Sequence, residues 1–319
     1  MKVLFVSSGN KSNNSNLPGA VVYNQGQSLK KHGINIDYFL IKGKGLWGYL
    51  SNIKTMSRHI KKGQYDIIHA HYSLSAIIPT FAMLFTGSIP IVVSLMGSDT
   101  QLKGINRLIV KFLARFIWTK TIVKSKSIQK KTGIKNSTVI PNGVDINKIA
   151  AIEKELENEK DTFPRTKSAQ MILFAANPER ESKNYPLAKK AMNFVNNSTK
   201  LKVVYNTSHE KILEEILKAD VVLLTSRWEG SPNIVKEAMT LNCPIVATNV
   251  GDIKWLLGNE PGHFITSFSP EDIAEKINQA LAFAEKNECT NGRKRIIRLG
   301  LDAESISKKI TEVYEKAVS

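Results

Sequence analysis

Two carboxylates, Glu229 and Glu237, stand eight positions apart in the segment Thr225–Met239, which reads T-S-R-W-E-G-S-P-N-I-V-K-E-A-M. An apolar run, Val221–Leu224, comes before it and reads as a buried strand. Ser231 then suits the N-cap, and Pro232 the first position, of a short helix that ends near Leu241. The next amides, at Asn233 and Ile234, find no partner inside such a helix. Unpaired amides at a helix start attract anions, and the helix dipole adds to the attraction. The segment therefore predicts a phosphate cradle with acidic groups in reach of the hydroxyls of a bound nucleotide diphosphate. Spacing by itself carries little, since Glu304 and Glu312 repeat it on what reads as a solvated helix face. The specific part is the setting of strand, loop, Ser-Pro start, helix and then the apolar strand from Pro244 to Ala247.

Other strand ends offer further polar groups. In Asp66–Tyr72, D-I-I-H-A-H-Y, His69 and His71 lie two apart and so share one face of a strand. Gly97–Asp99 follows another apolar strand, with Asp99 placed either to cap its loop or to meet an acceptor. Gly19, in L-P-G-A before a helix, lets a backbone approach a ligand closely. Ala176–Tyr185, A-N-P-E-R-E-S-K-N-Y, supplies Arg180 and Lys183. An Arg grips phosphate with a two-pronged donor set, and a Lys serves as a point charge. Such cations would meet the negative charge that builds on a departing nucleotide. The chain has no Asp-x-Asp pair, no phosphate-loop lysine motif and no serine elbow, and Cys243 and Cys289 make neither a disulfide framework nor a metal site.

The elements that must position these residues alternate, strand then helix, through both halves of the 319 residues. That alternation predicts an α/β protein built from two doubly wound, Rossmann-like parallel sheets facing across a cleft. The expected division is a basic first domain over 1–150, a linker over 151–168, a second domain over 169–302 and a last amphipathic helix over 303–319 that crosses back to the first domain. In open parallel sheets ligands bind beyond the carboxyl ends of the strands, which is where these motifs fall.

The Glu229/Glu237 segment resembles the donor-site signature of retaining glycosyltransferases of GT-B type, family 4. The resemblance extends to H-A-H at His69–His71, to G-S-D at Gly97–Asp99, where Met96 replaces the usual His, and to I-P-N-G-V-D at Ile140–Asp145. It implies transfer of a sugar from a nucleotide-diphosphate sugar to a glycan or lipid-linked acceptor, with retention by front-face attack. Glu229 would contact the donor sugar and Glu237 the ribose. Gly19, Arg180, Lys183 and the helix start formed by Ser231, Pro232, Asn233 and Ile234 would hold the diphosphate. His71 would line the reacting face, with His69 structural. No metal or other cofactor is expected. Arg180 lies closer to Lys183 than the family spacing, so its reach to the phosphates is open. A GT-B nucleotide-sugar epimerase and a non-enzymatic polyanion-binding protein are the alternatives.

Charge adds a partner. The net charge is +17, and residues 1–150 hold all of it, with 21 Lys and Arg against four acids. Asymmetry of this size predicts an anionic partner. No nucleic-acid motif is present, so the expectation is an anionic membrane surface met through basic amphipathic helices at Leu46–Lys62 and Gln101–Lys120. Lys103, Arg107, Lys111 and Arg115 form the basic stripe of the second. With no long apolar run and no signal-like start, the sequence points to a cytoplasmic protein, peripheral on the inner face of the membrane.

Overall fold

The computed structural model describes residues 1–8, 18–43, 45–97, 99, 104–160, 170–196, 198–286 and 289–319, and omits the side chains of 45–47 and 157–160. The chain forms two compact units, Met1–Gly143 with Ala303–Ser319, and Val144–Asp302.

The first unit contains β1 (Lys2–Ser8), β2 (Asn35–Ile41), β3 (Ile67–His71), β4 (Ile91–Leu95), β5 (Lys120–Val123) and β6 (Ser137–Val139). They pair in parallel in the order β2-β1-β3-β4-β5-β6. The β3 and β4 strands are buried along their whole length, which is why they read as continuous runs and not as alternation. The second unit contains β7 (Met171–Phe174), β8 (Lys200–Val203), β9 (Val221–Leu224), β10 (Ile245–Thr248) and β11 (His263–Thr266), in the order β11-β10-β9-β7-β8. Its pairs are also parallel. The expected α/β class and doubly wound sheets are therefore found. Both orders reverse direction between the first and third strand of the unit, so the switch points lie between β1 and β3, and between β7 and β9.

One local feature differs from expectation, and others complete it. The helix expected over Leu46–Lys62 is two helices, Gly45–Leu50 and Ile53–Gly63. Asn52 makes the break, because its buried amide bonds the Lys42 carbonyl (2.9 Å), the Gly48 carbonyl (2.5 Å) and the Lys42 amide (3.2 Å). Residues 151–160 are the later part of the helix Ile146–Lys160, and 161–168 lie outside the described residues. Helix Gly104–Phe116 buries only Val110, while Lys103 lies outside the described residues. The last helix, Ala303–Val318, packs on β3, β4 and the helix Ala20–Lys31 of the first unit. Among the described residues no helix is long and apolar enough to cross a membrane.

Candidate active site

At the switch point of the second unit, the loops after β7 and β9 are stitched together. The Arg227 amide donates to the Ser182 carbonyl at 2.8 Å, and the Thr225 hydroxyl donates to the carbonyls of Lys183 and Asn184, each at 3.1 Å. Asn184 accepts a left-handed backbone (φ 51°, ψ 45°) to turn the first loop into the helix Tyr185–Ala191. This framework brings Lys183 to Glu229, Nζ to Oε1 at 2.5 Å, and the Ser226 hydroxyl donates to the same oxygen at 2.7 Å. Both side chains of the ion pair are mostly buried. Arg180 begins the turn before Lys183, is exposed, and its guanidinium makes no hydrogen bond or ion pair among the described residues.

Glu229 is followed by the helix Asn233–Thr240. The expected cap is displaced by one residue. Pro232, extended at ψ 126°, is the residue before the helix, and no side chain caps the start. Among the described residues the buried Ser231 hydroxyl and the side-chain oxygen of Asn233 have no hydrogen-bond partner. A proline held at φ near −65° is equally acceptable just outside a helix, and its extended ψ carries the Ser231 hydroxyl away from the first amides. The helix start thus keeps its anion-attracting amides without a side-chain competitor.

One turn into this helix, Glu237 meets His209, Oε1 to Nε2 at 2.9 Å. The carboxylate, as hydrogen-bond acceptor, raises the His209 pKa above its ordinary 6.5 despite burial. The adjacent Lys236 is fully buried, and burial brings its ammonium down to about 8, opposed by Glu237 and Asp252. The loop after β10 supports the site from behind. Gly251 adopts φ +60°, and a Cβ there would stand 2.5 Å from the Gly230 carbonyl oxygen and 2.7 Å from that of Glu229. Sequence reasoning did not single out His209, Ser226 or Gly251. His209 follows the capping Ser208 with nothing local to mark it. Gly251 does leave a trace, as a glycine just past a strand end.

In the first unit His71 ends β3, is buried, and among the described residues neither ring nitrogen has a hydrogen-bond partner. Burial, reinforced by the Lys124 charge, holds its pKa well below 6.5, so the ring is neutral. It stacks on His69, with centroids 4.3 Å apart, and meets Phe5 at a tilt of 57° with centroids 4.6 Å apart. His69 spends both nitrogens internally, on Tyr314 Oη at 2.5 Å and Ser94 Oγ at 2.9 Å, which ties the last helix to the sheet. Asp99 is also turned inward. One carboxylate oxygen accepts from the Ser73 amide and hydroxyl, and the other from the Met96 amide. Of its two expected roles, the geometry gives loop cap, and burial raises its pKa to about 6. Gly19 precedes the helix Ala20–Lys31; among the described residues no side chain caps its start, and a Cβ on Gly19 would meet nothing within 4 Å. The loop 10–16, expected to contact acceptor, lies outside the described residues.

Comparison with known proteins gives this geometry a context. The model for Glycosyltransferase Family 4 matches residues 20–148, and that for Glycosyl transferases group 1 matches residues 157–297. TuaC of Bacillus subtilis (strain 168), a glycosyltransferase named for teichuronic acid biosynthesis, is 23% identical over 67% of this chain and 61% of its own. The chain thus spans less than two thirds of that relative. An Escherichia coli UDP-Gal:alpha-D-GlcNAc-diphosphoundecaprenol alpha-1,3-galactosyltransferase is 26% identical over 72% of this chain and 69% of its own. The structure of Anabaena HepE in complex with UDP-glucose superimposes with a TM-score of 0.73 and 17% identity, covering 99% of each chain. With the paired sheets and two family models that together take in both units, the chain belongs to the group 1 glycosyltransferases, family 4, of GT-B fold.

Proposed function

We propose that this protein is a retaining glycosyltransferase that moves a sugar from a nucleotide-diphosphate sugar to a glycan or lipid-linked acceptor in the synthesis of a cell-surface polysaccharide or glycolipid. The observation that carries this is the meeting of a cation, a carboxylate and an uncapped helix start at one switch point: Lys183 on Glu229, two residues before the turn into Asn233–Thr240. A diphosphate placed there would take charge-assisted bonds from Lys183 and Arg180 and dipolar attraction from the amides of Asn233 and Ile234. Lys183 would exchange its contact with Glu229 for one with phosphate, which frees Glu229 to accept from a sugar hydroxyl. Glu237 would accept from the ribose hydroxyls, sharing its charge with His209. The same cations stabilise the nucleotide as it leaves, so the reading assigns no step to a metal ion. On the first unit, the unpartnered ring of His71 is the proposed substrate-facing group, and Gly19 the place where a ligand can approach the backbone.

The names of two similar proteins support the partner classes. The E. coli relative is named with UDP-Gal and a diphosphoundecaprenol-linked sugar, and HepE holds UDP-glucose. The test is a donor screen. Purified protein is incubated with UDP-, GDP- and ADP-sugars, with and without lipid extract, and released nucleotide is measured. Release from one donor that rises with extract is expected. Glu237→Gln should weaken donor binding by roughly ten- to a hundredfold, the loss of charged hydrogen bonds worth about 1.5–3 kcal/mol. No nucleotide release from any donor, and no thermal shift with any nucleotide, would sink the reading.

A further inference from the structure

Helix Gly104–Phe116 packs Val110, Leu113 and Ala114 on the core as an ordinary outer helix does, but carries a second apolar face outward. Its single buried residue is Val110, while Ile105, Leu108, Ile109, Phe112 and Phe116 are exposed. These five fall at i, i+3, i+4, i+7 and i+11, which makes one continuous stripe along the helix. Phe112 and Phe116, 57% and 64% exposed, lie together with ring centroids 5.0 Å apart. A second exposed apolar group, Phe81, Leu84 and Phe85, belongs to the neighbouring segment. The Trp118 indole donates to the Thr80 hydroxyl at 3.2 Å, which sets the end of the first segment beside the second. Leu84 is 75% exposed. Isolated exposed apolar residues are common, but a stripe of five with three more beside it marks an interaction surface.

The charges around the stripe choose its occupant. Lys111 and Arg115 follow its edge, and the Arg115 guanidinium lies over the Phe116 ring at 5.4 Å. Arg107, Lys111 and Lys131 border a shallow pocket next to it. From Thr100 to Val144 the sequence has ten Lys and Arg and no Asp or Glu, and from Tyr72 to Ser98 it has no charge at all. An uncharged apolar face edged by cations fits a surface that is apolar inside and anionic at its rim. A second copy of this chain would set the same cations against one another.

We propose that this face, the helix Gly104–Phe116 with Phe81, Leu84 and Phe85, docks the first unit on an anionic lipid bilayer, with its aromatic and aliphatic side chains among the acyl chains and its cations among the headgroups. The inference does not depend on the donor chemistry, and its test uses no sugar.

Full-length protein is floated with vesicles of phosphatidylcholine alone, and of phosphatidylcholine mixed with phosphatidylglycerol. Binding to the mixed vesicles, weakened by salt, is expected. F112S/F116S should reduce that binding by about tenfold or more, and R107Q/K111Q/R115Q by about a hundredfold, without lowering the melting temperature. K189Q/K190Q, on the second unit, should leave it unchanged. Failure of wild type to float with the mixed vesicles would overturn the proposal. So would equal floating of the variants, or a wild-type dimer in light scattering that F112S/F116S splits.

Discussion

Replacing Gly251 by Ala should damage both the stability of the second unit and the position of Glu229. The backbone at Gly251 is left-handed (φ +60°), a conformation that costs an L-residue about 1–2 kcal/mol. The added Cβ would also stand 2.5 Å from the Gly230 oxygen and 2.7 Å from the Glu229 oxygen. Both are backbone atoms, so no side chain can swing away, and the loops must part at a further cost of about 1–3 kcal/mol. The total is about 2–5 kcal/mol, or a fall of roughly 5–15 °C in the melting of this unit. Gly33→Ala is the control. It has φ +79° but nothing among the described residues within 4 Å of its Cβ, so only the conformational part applies. Thermal unfolding followed by circular dichroism measures the first effect, and calorimetric titration of a nucleotide sugar the second. Because the separation falls on the Glu229–Gly230 backbone, donor affinity should drop on the order of tenfold in Gly251→Ala and stay level in Gly33→Ala. A Gly251→Ala protein that melts no lower than Gly33→Ala would refute the steric argument. One that melts low yet binds donor normally would refute the link from this turn to Glu229.

Two more outcomes follow from buried polar pairs. The His209 pKa is raised in the folded protein, so its contribution to stability is full below pH 6.5 and is lost as pH rises through the raised value. The same rise releases Glu237, so affinity for a nucleotide sugar should increase from pH 6 to pH 8 in wild type. It should be flatter in His209→Gln, with Lys148, Glu210 and Lys236 as the other charges nearby. A wild-type affinity that does not change with pH would count against Glu237 as the ribose contact. Tyr314→Phe strips the His69 Nδ1 of its partner inside the core and should cost about 1–3 kcal/mol in denaturant unfolding, with no change in donor affinity.

The sheets were legible because parallel strands are buried on both faces and leave apolar runs that end at turns. The run Val221–Leu224 is a strand over those same residues, and the run read from Pro244 to Ala247 is a strand one residue further on, Ile245–Thr248. The edge strand β8 leaves a weaker trace, since its burial alternates and Lys200 looks like loop. Glu229, Lys183 and the helix start were visible as types at strand ends, but the pairing of Lys183 with Glu229 depends on two loops joined by the Arg227 amide and the Thr225 hydroxyl, contacts between residues more than forty positions apart. The Glu237 partner was hidden for the same reason, as His209 stands 28 positions away at the start of another helix. The helix at Gly104–Phe116 was legible as amphipathic, while which of its faces turns outward is decided by the core around Val110 and Trp118, which no local pattern records.

The last helix closes the first unit from the far end of the chain, held by Tyr314 on His69. The second unit is in effect an insertion, leaving at Gly143 and returning at Asp302, where the Val144 amide donates to the Leu301 carbonyl at 2.9 Å. During synthesis the two units therefore cannot mature in the order in which they begin. Val144–Asp302 is contiguous and can complete its core as soon as it leaves the ribosome. The first unit, though made earlier, must wait with the patch on β3, β4 and the helix Ala20–Lys31 uncovered until residues 303–319 emerge. A nascent chain stalled before Ala303 should carry a folded second unit and a protease-sensitive first one.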